Sequence, residues 1–185
     1  MPKGREIVSP KQFKIILTRL AHEIIENYPS DEGLHIIGIQ EKGVILAQRL
    51  IDIIRNKNKK RKLEFGKLDI TFYRDDFRIR STPLKASATE IDFDVEGKSI
   101  ILVDDVLYTG RTIHAAMTAL QDLGRVSRLE LLTMVDRRFN RHLPIKADYT
   151  GIQVDSLDEA YVKVQWEHQE GEDKILIFSA NKKAV

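Results

Sequence analysis

Residues 98–120 read KSIILVDDVLYTGRTIHAAMTAL, and the rest of the 185-residue chain arranges itself around them. Ile100 to Val103 is an apolar, partly β-branched run of the kind that forms a buried strand. Asp104 and Asp105 follow. A short loop, Val106 to Gly110, comes next, with Thr109, Gly110, Arg111 and Thr112 leading into a helix. Ile113, Ala116, Met117 and Leu120 then recur at helical spacing. The order is strand, acidic pair, hydroxyl-and-glycine loop, helix. Two carboxylates at the carboxyl end of a strand offer acceptors to vicinal hydroxyls, such as a ribose diol. The opening of a helix offers unpaired N–H groups and a favourable dipole to an anion. Gly110 lets backbone come close, and the two threonine hydroxyls add donors. A sugar carrying a 5′-phosphate satisfies both ends at once. A nucleotide P-loop does not fit, because carboxylates do not hold phosphate and Gly-x-x-x-x-Gly-Lys-Ser/Thr is absent.

The stretch ILVDDVLYTGRT (101–112) resembles the phosphoribosyl pyrophosphate (PRPP) motif of type I phosphoribosyltransferases. More narrowly it resembles the PyrR family, uracil phosphoribosyltransferases that in some bacteria also regulate pyrimidine genes by binding mRNA. The resemblance implies that Asp104 and Asp105 bind the ribose hydroxyls. It further implies PRPP binding by Val106, Leu107, Tyr108, Thr109, Gly110, Arg111 and Thr112.

Composition narrows the classes. A length of 185 residues suits one α/β domain with a substantial core, and one domain over 1–185 is expected. Charged residues are 31% of the chain but the net charge is only +2, so a global basic footprint for nucleic acid is missing. With no cysteine there is neither a disulfide framework nor a thiolate metal site. No apolar run approaches the ~18 residues of a membrane span. The first ten residues, MPKGREIVSP, lack the apolar core of a signal peptide. A cytoplasmic protein is expected.

Toward the N-terminus, Ser9-Pro10-Lys11-Gln12 reads as a helix start, with Ser as N-cap and Gln in the capping-box position. Phe13, Ile16, Leu17, Leu20 and Ile24 share one face; Thr18, Arg19, His22 and Glu26 share the other. HEIIE (22–26) has Glu26 where a zinc-binding His-Glu-x-x-His needs its second histidine, so a metal reading is discarded. LTRLAHE is close to the PyrR helix whose residues help bind RNA, so Thr18, Arg19 and His22 are RNA-contact candidates by resemblance and a solvated face otherwise. HIIGI (35–39) reads as a strand. Gln40-Glu41-Lys42-Gly43 then precedes a helix with Val44, Ala47, Leu50, Ile51 and Ile54 inward. A Gly-containing strand–helix loop is a natural anion site, and its type I counterpart holds pyrophosphate, which assigns Glu41, Lys42 and Gly43. PyrR proteins usually carry Thr-Arg-Gly there. Lys42 keeps a cation without the guanidinium fork, and Glu41 adds a negative charge, which bears on affinity more than on function. RNKNKKRK (55–62) reads as a solvated helix end and loop, with nucleic-acid contact as the alternative.

LDITFY (68–73) reads as a strand by alternation. The aperiodic segment after it, about 74–97, is too long for an ordinary connection and suggests a flexible lid. FYRDD resembles the start of the PyrR catalytic loop. That resemblance implies that Tyr73 and Arg74 cover the reacting centre and that Arg78 or Arg80 reaches the pyrophosphate. Gly124 ends the central helix, RLELLTMV (128–135) is another strand, and Asp136-Arg137 stands at its carboxyl end, where ligands of open parallel sheets bind. VDRRFNRHLPIKADYTG (135–151) resembles the PyrR stretch around the base pocket, which implies uracil recognition by Asp136 and Arg137. Ala147 to Ile152 reads as a short strand. Val162 to Trp166 and Lys174 to Ser179 read as a terminal hairpin, about 162–179.

The expectation is therefore an α/β fold of the type I phosphoribosyltransferase kind. Its central, mostly parallel sheet should be flanked by helices, with a small hood built from the chain ends. The expected reaction joins uracil to PRPP, giving UMP and pyrophosphate with Mg²⁺ bound mainly through PRPP and no dedicated protein cage. Two alternatives stay open: a type I enzyme for another base such as hypoxanthine or guanine, and an RNA-binding regulator with vestigial catalysis. The family resemblance implies a homodimer or higher assembly. Asn27 stands where PyrR proteins commonly have Arg, and Ile152 where they commonly have Lys, so mRNA binding is expected to be weak.

Overall fold

The computed structural model describes residues 4–28, 33–75, 87–155 and 160–178. The elements run β1 (Arg5–Val8), α1 (Pro10–Asn27), β2 (Leu34–Ile39), α2 (Lys42–Lys57), β3 (Leu63–Leu68), β4 (Ser99–Leu107), α3 (Arg111–Leu123), β5 (Arg128–Arg138), β6 (Tyr149–Asp155), β7 (Tyr161–Gln165), α4 (Glu167–Glu170) and β8 (Lys174–Phe178). Five strands form a sheet in the order β3-β2-β4-β5-β6, every neighbouring pair parallel. The expected α/β architecture is present.

The alternation of side chains along β4 explains why helices cover both faces. Ile101 and Val103 pack with Leu20 of α1 and Leu46 and Leu50 of α2. Ile100 and Leu102 pack with Ile113, Ala116 and Leu120 of α3. At the start of α1 the capping box forms as expected: the Ser9 N–H donates to Gln12 Oε1 at 2.9 Å, and the Gln12 N–H to Ser9 Oγ at 3.5 Å. Phe13, Leu17, Leu20, Ala21 and Ile24 make the buried stripe.

The chain ends supply a second sheet, β1-β8-β7, antiparallel throughout. It contains the expected terminal hairpin, with β1 added as a third strand. Trp166 ties it to α1 by an edge-to-face contact with Phe13, ring centroids 5.4 Å apart. The Arg49 guanidinium grips both oxygens of Asp173, at 2.5 and 2.8 Å.

Four expectations need correcting. Strand β3 is Leu63–Leu68, not 68–73. It is an edge strand carrying Glu64, Gly66 and Lys67, so its composition hides it. Residues 71–73 instead form a 3₁₀ turn, because Asp69 accepts from the Thr71 N–H at 2.5 Å and folds the chain back. Strand β6 starts at Tyr149, because Asp148 uses its own carboxylate to accept from the Leu131 N–H at 2.8 Å. Strand β4 runs past both aspartates to Leu107, since β5 is long enough to keep pairing with it as far as Leu107 opposite Asp136. Within the basic run, Arg61 is buried and donates to the Tyr28 carbonyl at 2.5 Å, so that residue is not solvated.

Most of the expected lid's first half, 76–86, lies outside the described residues, as do Arg78 and Arg80. Residues 87–90 are fastened to β3: Glu90 exchanges backbone hydrogen bonds with Lys67, both 2.8 Å, and Thr89 accepts from the Asp69 N–H. No helix among the described residues is long and apolar enough to cross a membrane.

The start of α2 lies hard against the sheet. A Cβ on Gly38 would stand 2.6 Å from the Val44 Cα, and one on Gly43 would run into the Val103 carbonyl oxygen. Both obstacles are backbone, which cannot swing aside. Gly38→Ala should therefore lower stability by about 1–3 kcal/mol, read as a lower urea midpoint with an unchanged m-value. A variant as stable as the parent would show that α2 is free to move outward.

Candidate functional site

Strand β4 delivers its two carboxylates to the carboxyl end of the sheet. Asp104 is only 7% exposed. It lines a cleft of about 240 Å³ together with Arg74, Asp75 and the segment from Val106 through the first turn of α3. Asp105, next along the strand, meets α2: Lys42 Nζ lies 3.4 Å from its carboxylate. Burial, and then the neighbouring Asp105 charge, push the Asp104 carboxyl up to about 8, against the opposing pull of the Asp105 N–H, Lys42 and Arg74. Burial raises Asp105 as well, with Lys42 opposing.

The loop that closes the cleft is shaped by Gly110, whose φ of +91° is a left-handed conformation that side chains resist. A Cβ there would also crowd Ile145 at 3.2 Å and Leu143 at 3.4 Å. Gly110 is the N-cap of α3 and brings no side-chain acceptor to its first turn. The nearest substitute is Thr109 Oγ1, which accepts from the Arg111 N–H at a long 3.4 Å. A helix start that lines a cleft and lacks a capping side chain is suited to an anion. The Arg111 side chain, itself at that helix start, is paired with Asp75, and both are more than half exposed.

The strand-to-helix loop after β2 adds Lys42 to this group. Glu41 is exposed and caps α2 without a side-chain hydrogen bond, and the Gln40–Glu41 peptide is cis. Gly43 is buried, and the Val103 carbonyl is reason enough for a glycine there. Asp136 and Arg137, both nearly buried, end β5 beside the loop. The Arg137 guanidinium sits 3.8 Å from the centroid of the Tyr108 ring and donates to the Ala160 carbonyl at 2.7 Å. Asp136 is paired with Arg141.

Asp104, Asp105, Arg74, Lys42 and the loop 106–112 thus come together, with Asp136 and Arg137 adjoining through Tyr108. Tyr73 does not join them. Its hydroxyl donates to Asp122, near the far end of α3, at 2.6 Å. Thr18, Arg19 and His22 line a separate shallow groove of about 840 Å³ along α1. Thr18 Oγ1 donates to the Lys14 carbonyl at 2.8 Å. Arg19 reaches Glu23 at 3.2 Å and the carbonyls of Thr150 and Gly151 at 2.8 and 2.7 Å. His22 Nε2 is enclosed without a partner among the described residues. Sequence reasoning missed Asp75 as a lining group and Arg141 as a partner of Asp136. Both stand inside stretches singled out for other reasons, but only the fold tells which of several neighbouring charges turns inward.

Among the described residues no group of three or more His, Cys, Asp or Glu is placed to hold a metal ion. The oxygen donors that are present, Asp104 and Asp105, suit a hard cation that keeps its waters and takes most of its oxygens from a substrate.

A family model for the phosphoribosyl transferase domain matches residues 4–170. The chain is 46% identical over 165 residues to the bifunctional protein PyrR of Elusimicrobium minutum, covering 89% of this chain and 91% of that one. It is 42% identical over 177 residues to the bifunctional protein PyrR of Caldicellulosiruptor bescii, covering 96% of each. Among solved structures, a hypoxanthine-guanine phosphoribosyltransferase from Bacillus anthracis superposes with a TM-score of 0.71 at 19% identity, over 96% of this chain and 99% of that one. The last is a likeness of fold. On the domain match and the near full-length identities, the chain belongs to the PyrR family of type I phosphoribosyltransferases.

Proposed function

We propose that the chain transfers the phosphoribosyl group of PRPP to uracil, forming UMP and pyrophosphate. The observation that carries the reading is a single cleft holding both a buried carboxylate, Asp104, and the uncapped start of α3. A ribose diol neutralises the demand of the first, and a 5′-phosphate that of the second. Asp105, held toward Lys42, completes the acidic side. Lys42 and the amides of Glu41 and Gly43 lie on the pyrophosphate side, and Arg74 lends charge at the rim. Arg137, near the end of β5 and stacked on Tyr108, offers the base side. Magnesium bound through PRPP oxygens would neutralise the leaving group. In a substitution at C1 with an oxocarbenium-like transition state, little covalent work is left to the protein. Positioning and charge placement then carry the rate.

Uracil as the base rests on the kinship to PyrR proteins and on the β5 end; the solved relatives named for hypoxanthine and guanine share only the fold. A panel of bases incubated with PRPP and Mg²⁺ tests it, with nucleotide formation as the readout. Uracil should be turned over best, and faster use of hypoxanthine or guanine would overturn the reading.

The RNA-regulator reading has one observation in its favour, the name "bifunctional" carried by the relatives. The α1 face argues for weak binding, since Arg19 is spent on two carbonyls and Glu23. Each cation withheld from phosphate removes counterion release and affinity. The protein is proposed to act as a homodimer or larger assembly.

Asp104 also makes a prediction about pH. Its folded pKa of about 8 lies above the unfolded value of 3.8, so the folded state holds the extra proton between those limits. The stability this group contributes is full below about pH 4 and is lost as pH rises through about 8. Asp104→Asn removes that slope. Its stability relative to the parent should therefore climb from pH 4 to pH 8, while turnover falls by about two orders of magnitude or more. Near-normal turnover in the Asn variant would refute the diol assignment.

A further inference from the structure

The loop that would hold the phosphate is clamped from behind by one stretch of chain. His142 and Leu143 both donate backbone N–H groups to the Thr109 carbonyl, at 3.0 and 3.2 Å. Leu143 and Ile145 close over Gly110. Arg141 begins that stretch, and its guanidinium joins two separate parts of the site. One nitrogen donates to the Tyr108 carbonyl, at the root of the loop. The other donates to the Asp136 carboxylate, at the end of β5. The Asp136 side chain is 9% exposed and the Arg141 side chain 22%, so water competes weakly for this pair. A guanidinium can span two acceptors in this way because its donors form a fixed planar fork.

We infer that Arg141 is a positioning residue that sets the Tyr108–Arg111 loop for PRPP, with Asp136 acting through it rather than by reading the base directly. The inference deepens the proposed function and rests on PRPP being the ligand of this cleft. Three features of the geometry converge on it. Asp136 spends its carboxylate on Arg141. Arg141 spends its second donor on the loop. Arg137, the neighbour of Asp136, stacks on the ring of the same Tyr108 whose carbonyl Arg141 holds. The backbone of the loop is thereby fixed on its inner side, which leaves the outer side, with the first turn of α3, to the ligand.

The experiment is a calorimetric titration of PRPP, with Mg²⁺ in excess, into the parent chain and three variants, with thermal unfolding recorded for each. Arg141→Ala should weaken PRPP binding about tenfold or more, as expected when a hydrogen bond to a charged group is lost. Arg141→Lys should recover part of that loss, since an ammonium keeps the Asp136 pair but not the fork. Asp136→Asn should weaken PRPP as well, and the double variant Asp136→Asn with Arg141→Ala should be no worse than Arg141→Ala alone, because both act through one element. In steady-state assays the change should appear in KM for PRPP, with KM for the base little altered. If Arg141→Ala does not fold, the Lys and Asn variants carry the same test. PRPP affinity within twofold of the parent in Arg141→Ala, or an Asp136→Asn variant that loses only base affinity, would overturn the inference. A parent that binds PRPP but makes no UMP would sink the uracil reading and leave this one standing. A parent that does not bind PRPP would sink both.

Discussion

A carboxylate sunk in the end of the central strand sets the terms for everything around it. Asp104 is nearly buried on β4, one residue past the last partner on β2 and opposite Thr133 of β5, and its raised pKa reflects how poorly that burial suits an anion. Burial of an unpaired charge is expensive. The structure spreads the burden by turning Asp105 to Lys42 and bringing Arg74 to the cleft rim. It leaves Asp104 facing the cleft. The tight seat of α2 follows from the same need. Lys42 can reach Asp105 only because Gly38 and Gly43 let the first turn of α2 lie against the sheet backbone.

The central motif was readable because two independent signals coincide in it. The 3.6-residue spacing of Ile113, Ala116 and Leu120 marks α3, and the apolar run before Asp104 marks β4. The capping box of α1 and the alternation of the terminal hairpin were readable for similarly local reasons. What failed was pairing. Whether a strand stops at the end of its apolar run or continues through two aspartates depends on the length of its neighbour, and β5 is eleven residues long. LEFGKL does not look like a strand because half of its positions are charged or glycine, yet β2 offers it six consecutive partners. Arg61 looked like one of many solvated cations, and nothing local says that its guanidinium ends on the Tyr28 carbonyl.

The candidate site divides in the same way. Residues contiguous in sequence, 104–112, were found together because chemistry and proximity agree there. Residues assigned by analogy to other segments separated: Arg74 arrives at the cleft, Lys42 meets Asp105 beside it, Tyr73 turns to Asp122 instead, and Asp136 faces Arg141. Side-chain direction depends on the last turn of a strand or loop, which no periodicity describes.

On the proposed function, the buried carboxylate and the α3 start form one site for a ribose bearing a 5′-phosphate. The most direct measurement compares ribose 5-phosphate with 2-deoxyribose 5-phosphate, titrated calorimetrically into the chain under identical conditions. The two ligands share the phosphate and differ only in one hydroxyl. If Asp104 and Asp105 receive the diol, the deoxy sugar should bind about tenfold or more weakly, the loss expected when a hydrogen bond to a charged group goes unmade. Equal affinity for the two sugars would rule out diol binding by these carboxylates, because the phosphate alone would then explain the binding.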